Sequence, residues 1–290
     1  MELPQNHSIS LIQTVLRLRP IDDVLFEVLS QDIGFCEELL QTILQDKSLK
    51  VQEVIPQKSE KNLFGRSVRL DALCILGDGR KCNIEVQRSD ADDHLRRIRY
   101  NAAMITSRSM EPGSRFEQVP TVMVIYITEK DFLKDGRTIY HIDNVVRETG
   151  RILDDGLSRI LVNTAVDDGT EIAEYMSCMK QPEIPNERFP CLARRMREVK
   201  DVEGGQKAMC RIVEEYAAQI AEEHKDEWLA EGISKGRSQG HSQGLAEGKE
   251  NVLCMLVAEG DISLEKGAEK LGRTPQQMRE VMLARGYAMP

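Results

Sequence analysis

Ser67-Val68-Arg69-Leu70-Asp71-Ala72-Leu73-Cys74-Ile75-Leu76-Gly77-Asp78-Gly79-Arg80-Lys81-Cys82-Asn83-Ile84-Glu85-Val86-Gln87-Arg88 is the stretch that decides the fold. Before Gly77, the even positions Leu70, Ala72, Cys74 and Leu76 are apolar, while Arg69 and Asp71 are odd. After Gly79, Cys82, Ile84 and Val86 are apolar and Lys81, Asn83, Glu85 and Gln87 are polar. Two runs of period two around a glycine-rich turn form a β-hairpin. A loop of Gly77-Asp78-Gly79 centres the pairing on residue 78. Leu70 then faces Val86, Ala72 faces Ile84, Cys74 faces Cys82, and the apolar faces coincide, as a buried face requires. On the other face Asp71 meets Glu85 and Arg69 meets Gln87. A tighter Asp78-Gly79 turn would set Asp71 against Val86 and mix both faces, so the longer loop or a compensating bulge is expected.

Directly opposed residues in a sheet have Cβ atoms about 5 Å apart. Asp71 and Glu85 placed so repel each other. Either one carboxyl keeps its proton, or a hard cation is shared between them. Two carboxylates, a backbone carbonyl and water suit Mg²⁺ or Mn²⁺. Read alone, the pair is also simply two solvated acids on the wet face of a hairpin. Cys74 and Cys82 are expected as small core residues.

Working outward, Ser89-Asp90-Ala91-Asp92-Asp93 offers helix caps, and Leu95, Ile98, Ala102 and Ile105 follow at helical spacing. Val119-Pro120-Thr121-Val122-Met123-Val124-Ile125-Tyr126-Ile127-Thr128 is almost wholly apolar and β-branched, which suits a strand buried on both faces. Strand, helix, strand in that order implies a right-handed crossover and an α/β layer. Upstream, Asp22-Asp23 opens a helix through Leu29, residues 35–44 form another, and Val51 to Ile55 begin a strand. Thr138 to Ile142 and Arg159 to Thr164 read as edge strands. Lys180 to Pro190 carries three prolines and is placed as a boundary, with helices beyond it.

The chain has 290 residues, 41% hydrophobic and 30% charged, with a formal net charge of −9. That is enough to bury a core without disulfides or a structural metal. No apolar run reaches the roughly 18 residues of a membrane span, and the first residues lack the basic start and apolar stretch of a signal peptide. The seven cysteines are scattered and contain no CxxC, so neither a zinc ribbon nor a disulfide framework is indicated. A reduced, cytoplasmic protein with no membrane partner is the expectation. The acidic balance argues against a protein that coats nucleic acid by bulk charge. It leaves room for an acidic, metal-loaded pocket that meets nucleic acid locally.

Asp71, followed after Ala72 to Ile84 by Glu85-Val86-Gln87, resembles the D…(D/E)xK signature of the PD-(D/E)XK nuclease superfamily. More narrowly it resembles the branch of PD-(D/E)XK transposases and recombination-promoting nucleases. Asp23-Val24-Leu25-Phe26, Arg69-Leu70-Asp71, Asn83-Ile84-Glu85-Val86-Gln87, Arg97-Ile98-Arg99-Tyr100 and the glycine-punctuated tail all look like elements of that branch, over roughly residues 20 to 285. The resemblance implies an α/β fold, a restriction-endonuclease-like αβββαβ core with a mixed central sheet, plus a helical C-terminal tail. It implies a metal-dependent DNA endonuclease with a transposase-like or recombination-promoting role. The alternative is a non-catalytic DNA-binding or assembly protein that kept the fold. Asp71, Glu85 and the backbone carbonyl of Val86 would hold Mg²⁺ or Mn²⁺, and Asp23 would complete the site. Arg96, Arg97, Arg99 and Tyr100 would meet DNA, with Arg108 beside them, although a solvated helix face explains them equally. Two positions depart from the pattern: Glu27 stands where the branch has a basic residue, and Gln87 where the superfamily has lysine. An amide is no cationic base, so water activation would rest on the metal, with Gln87 orienting water or a phosphate oxygen. Residues 1–180 are expected as the nuclease-like domain, 181–230 as boundary and helical connector, 231–250 as a repeat and 251–290 as a small helical module.

That repeat is Gly232, Gly236, Gly240, Gly244 and Gly248. In a helix each glycine costs about 1 kcal/mol relative to alanine, so a helix over 228–250 needs a closely approaching partner, most simply a second subunit. A flexible polar linker is the equal alternative. Ser263 to Leu271 and Thr274 to Leu283 read as two short helices around Gly272, a packing or oligomerisation module rather than a reader of the major groove.

Overall fold

The computed structural model describes residues 5–60, 68–88, 94–185, 187–223 and 225–288. The caps expected at Ser89 to Asp93 lie outside those residues. Two compact units divide the chain, residues 1–216 and 217–290.

The first unit begins with helices α1 (Gln5–Arg17), α2 (Asp23–Leu29) and α3 (Ile33–Leu44). Asp22 is the residue before α2, and Asp32 caps α3 by accepting from the Phe35 amide at 2.8 Å. Strands β1 (Val51–Glu60), β2 (Val68–Leu76) and β3 (Lys81–Gln87) follow, then α4 (His94–Arg108) and β4 (Val122–Thr128). Next come β5 (Ile139–Ile142), a separate ribbon of β6 (Asn144–Val146) and β7 (Arg151–Leu153), and β8 (Leu157–Asn163). Helices α5 (Glu171–Met179), α6 (Pro190–Lys200) and α7 (Glu203–Glu223) close the series. The main sheet has the order β1-β2-β3-β4-β8-β5. β3, β4 and β8 are parallel, and β1, β2 and β5 run against their neighbours. Helix, three strands, helix, strand gives the αβββαβ core with a mixed sheet.

The hairpin closes as its pattern requires. The Leu76 amide donates to the Arg80 carbonyl at 2.9 Å, Cys74 pairs with Cys82 and Ala72 with Ile84. Gly79 takes φ +85°, the left-handed turn position open to glycine. The ladder then stops at Ala72. Leu70, expected opposite Val86, instead packs with Ile98 and Ile105 of α4. The strand leaves its partner here because a side chain takes the next backbone donor, as described below.

β4 is buried along its whole length. Met123, Ile125 and Ile127 join the core shared with α2, α3, α5 and α6, while Val122, Val124 and Tyr126 join the core beneath α4. β5 is an edge strand, but β8 is not: it lies between β4 and β5. Its consecutive buried Ile160, Leu161 and Val162 split between the two cores, as in β4. The proline-rich segment does not end the unit either. Beyond it, Leu192, Met196 and Val199 of α6 and Met209 of α7 enter the same core as α3, so residues 190–216 belong to the first unit rather than to a connector.

In the second unit, α8 (Lys225–Ala258) is continuous through the glycine repeat, so 231–250 and the following residues form one element. It packs with α9 (Leu264–Leu271) and α10 (Pro275–Ala284) around Cys254, Val257, Ala268, Met278 and Met282. Thr274 caps α10 and exchanges hydrogen bonds with Gln277, a capping box. Among the described residues, no helix is long and apolar enough to cross a membrane.

Candidate active site

The acids approach each other where β2 departs from β3. The Lys81 amide donates to Thr121, and the Gln87 carbonyl accepts from Glu129. The odd residues of β3 therefore turn their backbone toward β4, and the even ones turn theirs toward β2. A regular ladder would give the Val86 amide to the Leu70 carbonyl. Instead it donates to Asp71 Oδ2 at 2.9 Å. The same geometry turns the Val86 carbonyl into the gap beside Asp71.

Glu85 is completely buried. Its Oε1 accepts from Asn83 Nδ2 at 2.8 Å. Its Oε2 has no hydrogen-bond partner among the described residues; Arg97 Nη2 of α4 lies 3.8 Å from it. Burial pushes the Glu85 carboxyl up, against the pull of Asn83 and Arg97. Burial, and then repulsion from Glu85, pushes Asp71 well above the usual carboxylate range, against the Val86 hydrogen bond. Two acids that resist ionisation together, with one buried oxygen left bare, fit a hard divalent cation. Among the described residues no three His, Cys, Asp or Glu side chains gather closely enough to hold a metal. Any side-chain ligation there would rest on the pair, with backbone and water as the remaining donors.

Asp23, the first residue of α2, stands exposed at the rim. It is near enough to raise the Asp71 pKa. Loss of water around its carboxyl raises its own pKa, against Arg88 and a hydrogen bond from Tyr216, whose hydroxyl lies 3.4 Å from Oδ2. Asp22 behind it accepts from Arg19 at 3.0 Å and pairs with Arg88 at 2.9 Å. Both arginines also reach Glu129 at the end of β4, at 2.7 and 3.3 Å. This network ties the start of α2 to the ends of β3 and β4.

Gln87 Oε1 accepts from Arg97 Nη1 at 3.0 Å. Arginine has no acceptor, so the oxygen faces it and the amide NH₂ is directed elsewhere. Arg97 thus lies inside the acid cluster, whereas Arg96, Arg99 and Arg108 are exposed and Tyr100 is half-buried. Asn101, whose side chain also lowers the Glu85 pKa, Arg88 and Tyr216 had no role assigned from sequence, and Asn83 entered only as part of the resembling strand. Asn83 carried a signal, lying two residues from Glu85 on one strand face. Tyr216 carried none, since only the folded chain brings α7 to α2.

Residues 33–176 match the family model for PD-(D/E)XK nuclease family transposases. The match takes in Asp71, Glu85, Gln87 and the basic residues of α4, and leaves Asp23 and the tail outside. No curated protein and no solved structure matches the chain.

Proposed function

Because residues 33–176 belong to the PD-(D/E)XK nuclease family transposases, we propose that this protein is a metal-dependent DNA endonuclease with a transposase-like or recombination-promoting role. The observation that carries the reading is the buried Glu85, with an oxygen that lacks a hydrogen-bond partner among the described residues, beside the half-buried Asp71 whose pKa it raises. Asp71, Glu85 and the Val86 carbonyl would hold Mg²⁺ or Mn²⁺. A cation bound there supplies Lewis acidity toward a phosphodiester and lowers the pKa of water.

The chain's own groups do the rest. Gln87, with its oxygen held by Arg97, presents its NH₂ to a phosphate oxygen and positions the substrate. Arg97 places a positive charge between the acids and the substrate. Asp23, held by Tyr216, supports the pair from the rim. The exposed Arg96, Arg99 and Arg108, with Tyr100, track the DNA backbone, so binding weakens steeply with salt. The tail joins copies of the chain, which brings two such sites together.

Plasmid nicking tests the reading. Cleavage requires Mg²⁺ or Mn²⁺, and Asp71→Ala and Glu85→Ala reduce it to background while the fold is kept. Full activity in either variant overturns the assignment. The second reading, a DNA-binding protein without cleavage, draws on Gln87 in place of lysine; gel-shift binding with no metal-dependent nicking selects it.

A further inference from the structure

Asn83 is an anomaly on β3. It is completely buried, at a strand position where an apolar side chain is the default. Its Nδ2 serves Glu85 Oε1 at 2.8 Å, yet its own Oδ1 has no hydrogen-bond partner among the described residues. A buried amide with an idle carbonyl weakens a fold, so stability does not account for it. With Glu85 ionised, as it must be to hold a cation, the carboxylate only accepts and the NH₂ faces it. Its effect is an asymmetry. One Glu85 oxygen is tied down; the other, Oε2, has no hydrogen-bond partner among the described residues and faces Arg97 Nη2 at 3.8 Å.

We propose that Asn83 is a positioning residue that ties Glu85 Oε1 and leaves Oε2 as the single oxygen offered to a divalent cation. This rests on the reading of Asp71 and Glu85 as metal-binding acids. One-oxygen ligation suits the small, octahedral Mg²⁺ or Mn²⁺, while Ca²⁺ accepts two oxygens of one carboxylate at longer distances. Asn83 therefore sets preference among cations as well as affinity. Groups that orient metal ligands are typically worth about 10–100-fold in affinity or activity.

The test is metal binding by the full chain without DNA. Mn²⁺ binding is followed by electron paramagnetic resonance, and Mg²⁺ and Ca²⁺ by competition. The wild type, Asn83→Ala, Asn83→Ser and Asp71→Ala are compared, with metal-free melting temperatures recorded for each. Serine keeps a hydroxyl but is too short to reach Oε1. In both Asn83 variants Mn²⁺ and Mg²⁺ affinity is expected to fall about 10-fold or more. Ca²⁺ affinity is expected to fall less, so the Mg²⁺/Ca²⁺ ratio narrows, and the metal-free melting temperature is held or rises. Unchanged affinity and ion order in the variants overturn the role of Asn83 alone, provided Asp71→Ala has lost Mn²⁺. If Asp71→Ala binds as the wild type does, or the wild type binds no metal, the metal-site reading fails and Asn83 with it. If both Asn83 variants unfold, the residue serves the fold and the proposal is overturned.

Discussion

At Gln87 one hydrogen bond narrows the chemistry. Its oxygen is occupied by Arg97, so in the proposed reaction its free NH₂ would donate to substrate. Gln87→Ala is expected to lower single-turnover cleavage about 10–100-fold with Mn²⁺ affinity nearly unchanged; a metal loss as severe as in Asp71→Ala contradicts the role. Asp71 makes a statement about stability. Its pKa and that of Glu85 are raised on folding, by burial first. The folded state therefore keeps protons that the unfolded chain releases. Stability from this pair is present below the ordinary carboxylate range and is lost as pH rises through the raised values. In metal-free buffer Asp71→Asn should melt higher than the wild type, by roughly 2–4 °C for each kcal/mol of repulsion relieved. The gap should widen from acid to neutral pH in calorimetry, and a gap independent of pH would rule out charge as its cause. The acid pair was legible in sequence because alternation about the turn puts Asp71 and Glu85 on one polar face, although the ladder itself ends at Ala72. Its surroundings were not: whether Arg97 turns to DNA or inward to Gln87 depends on how α4 lies across the sheet, which periodicity leaves open.

Elements were legible where one energy dominated. Period-two alternation and a loop that tolerates a positive φ set the hairpin register, and the unbroken apolar run of β4 announced burial on both faces. The register past Ala72 was hidden because a side chain, Asp71, outcompetes a backbone carbonyl for the Val86 amide, and no pattern of apolar residues records that. That α6 belongs to the first core was hidden for a related reason. Prolines mark irregular backbone, which is distinct from the end of a core. Lys200 shows what holds this helix. Buried at its C-terminal end, it donates to the carbonyls of Leu16 at 2.9 Å, Pro182 at 2.6 Å and Leu18. Burial pushes its pKa down to about 8, while the three acceptors favour the charged form. One side chain thus pins α6 to the end of α1 and to the proline segment. Lys200→Met keeps the apolar stem but leaves three carbonyls without their donor. It is expected to destabilise the protein by on the order of 3 kcal/mol, read as a lower urea midpoint. A change under about 0.5 kcal/mol would show that water replaces the ammonium readily.

On the scale of the whole molecule, the glycines of α8 pose a problem that a single chain does not solve. The segment is helical, so the linker alternative is set aside, yet among the described residues nothing lies within 4 Å of where a Cβ would stand at Gly232, Gly236, Gly240, Gly244 or Gly248. Alanine would fit at every one of them and would favour the helix by about 1 kcal/mol each. Leu229 before the stripe, Ile233 and Leu245 within it, and Val252 after it are exposed, so apolar side chains accompany the glycines. Proposing a second copy against this face makes the two scales disagree in sign, and that makes it testable. For one chain, Gly236→Ala, Gly240→Ala and Gly244→Ala together should raise the helical signal and its melting temperature, and leucine should do nearly as well, since leucine is also a good helix former. For an assembly that depends on close backbone approach, leucine at the same three positions should prise the helices apart. The expected result is a helix at least as stable as in the wild type, combined with a shift toward monomer in sedimentation velocity. An unchanged sedimentation coefficient in the leucine variant would mean that no partner lies on the stripe, and the tail would then have to join copies of the chain by another face or not at all.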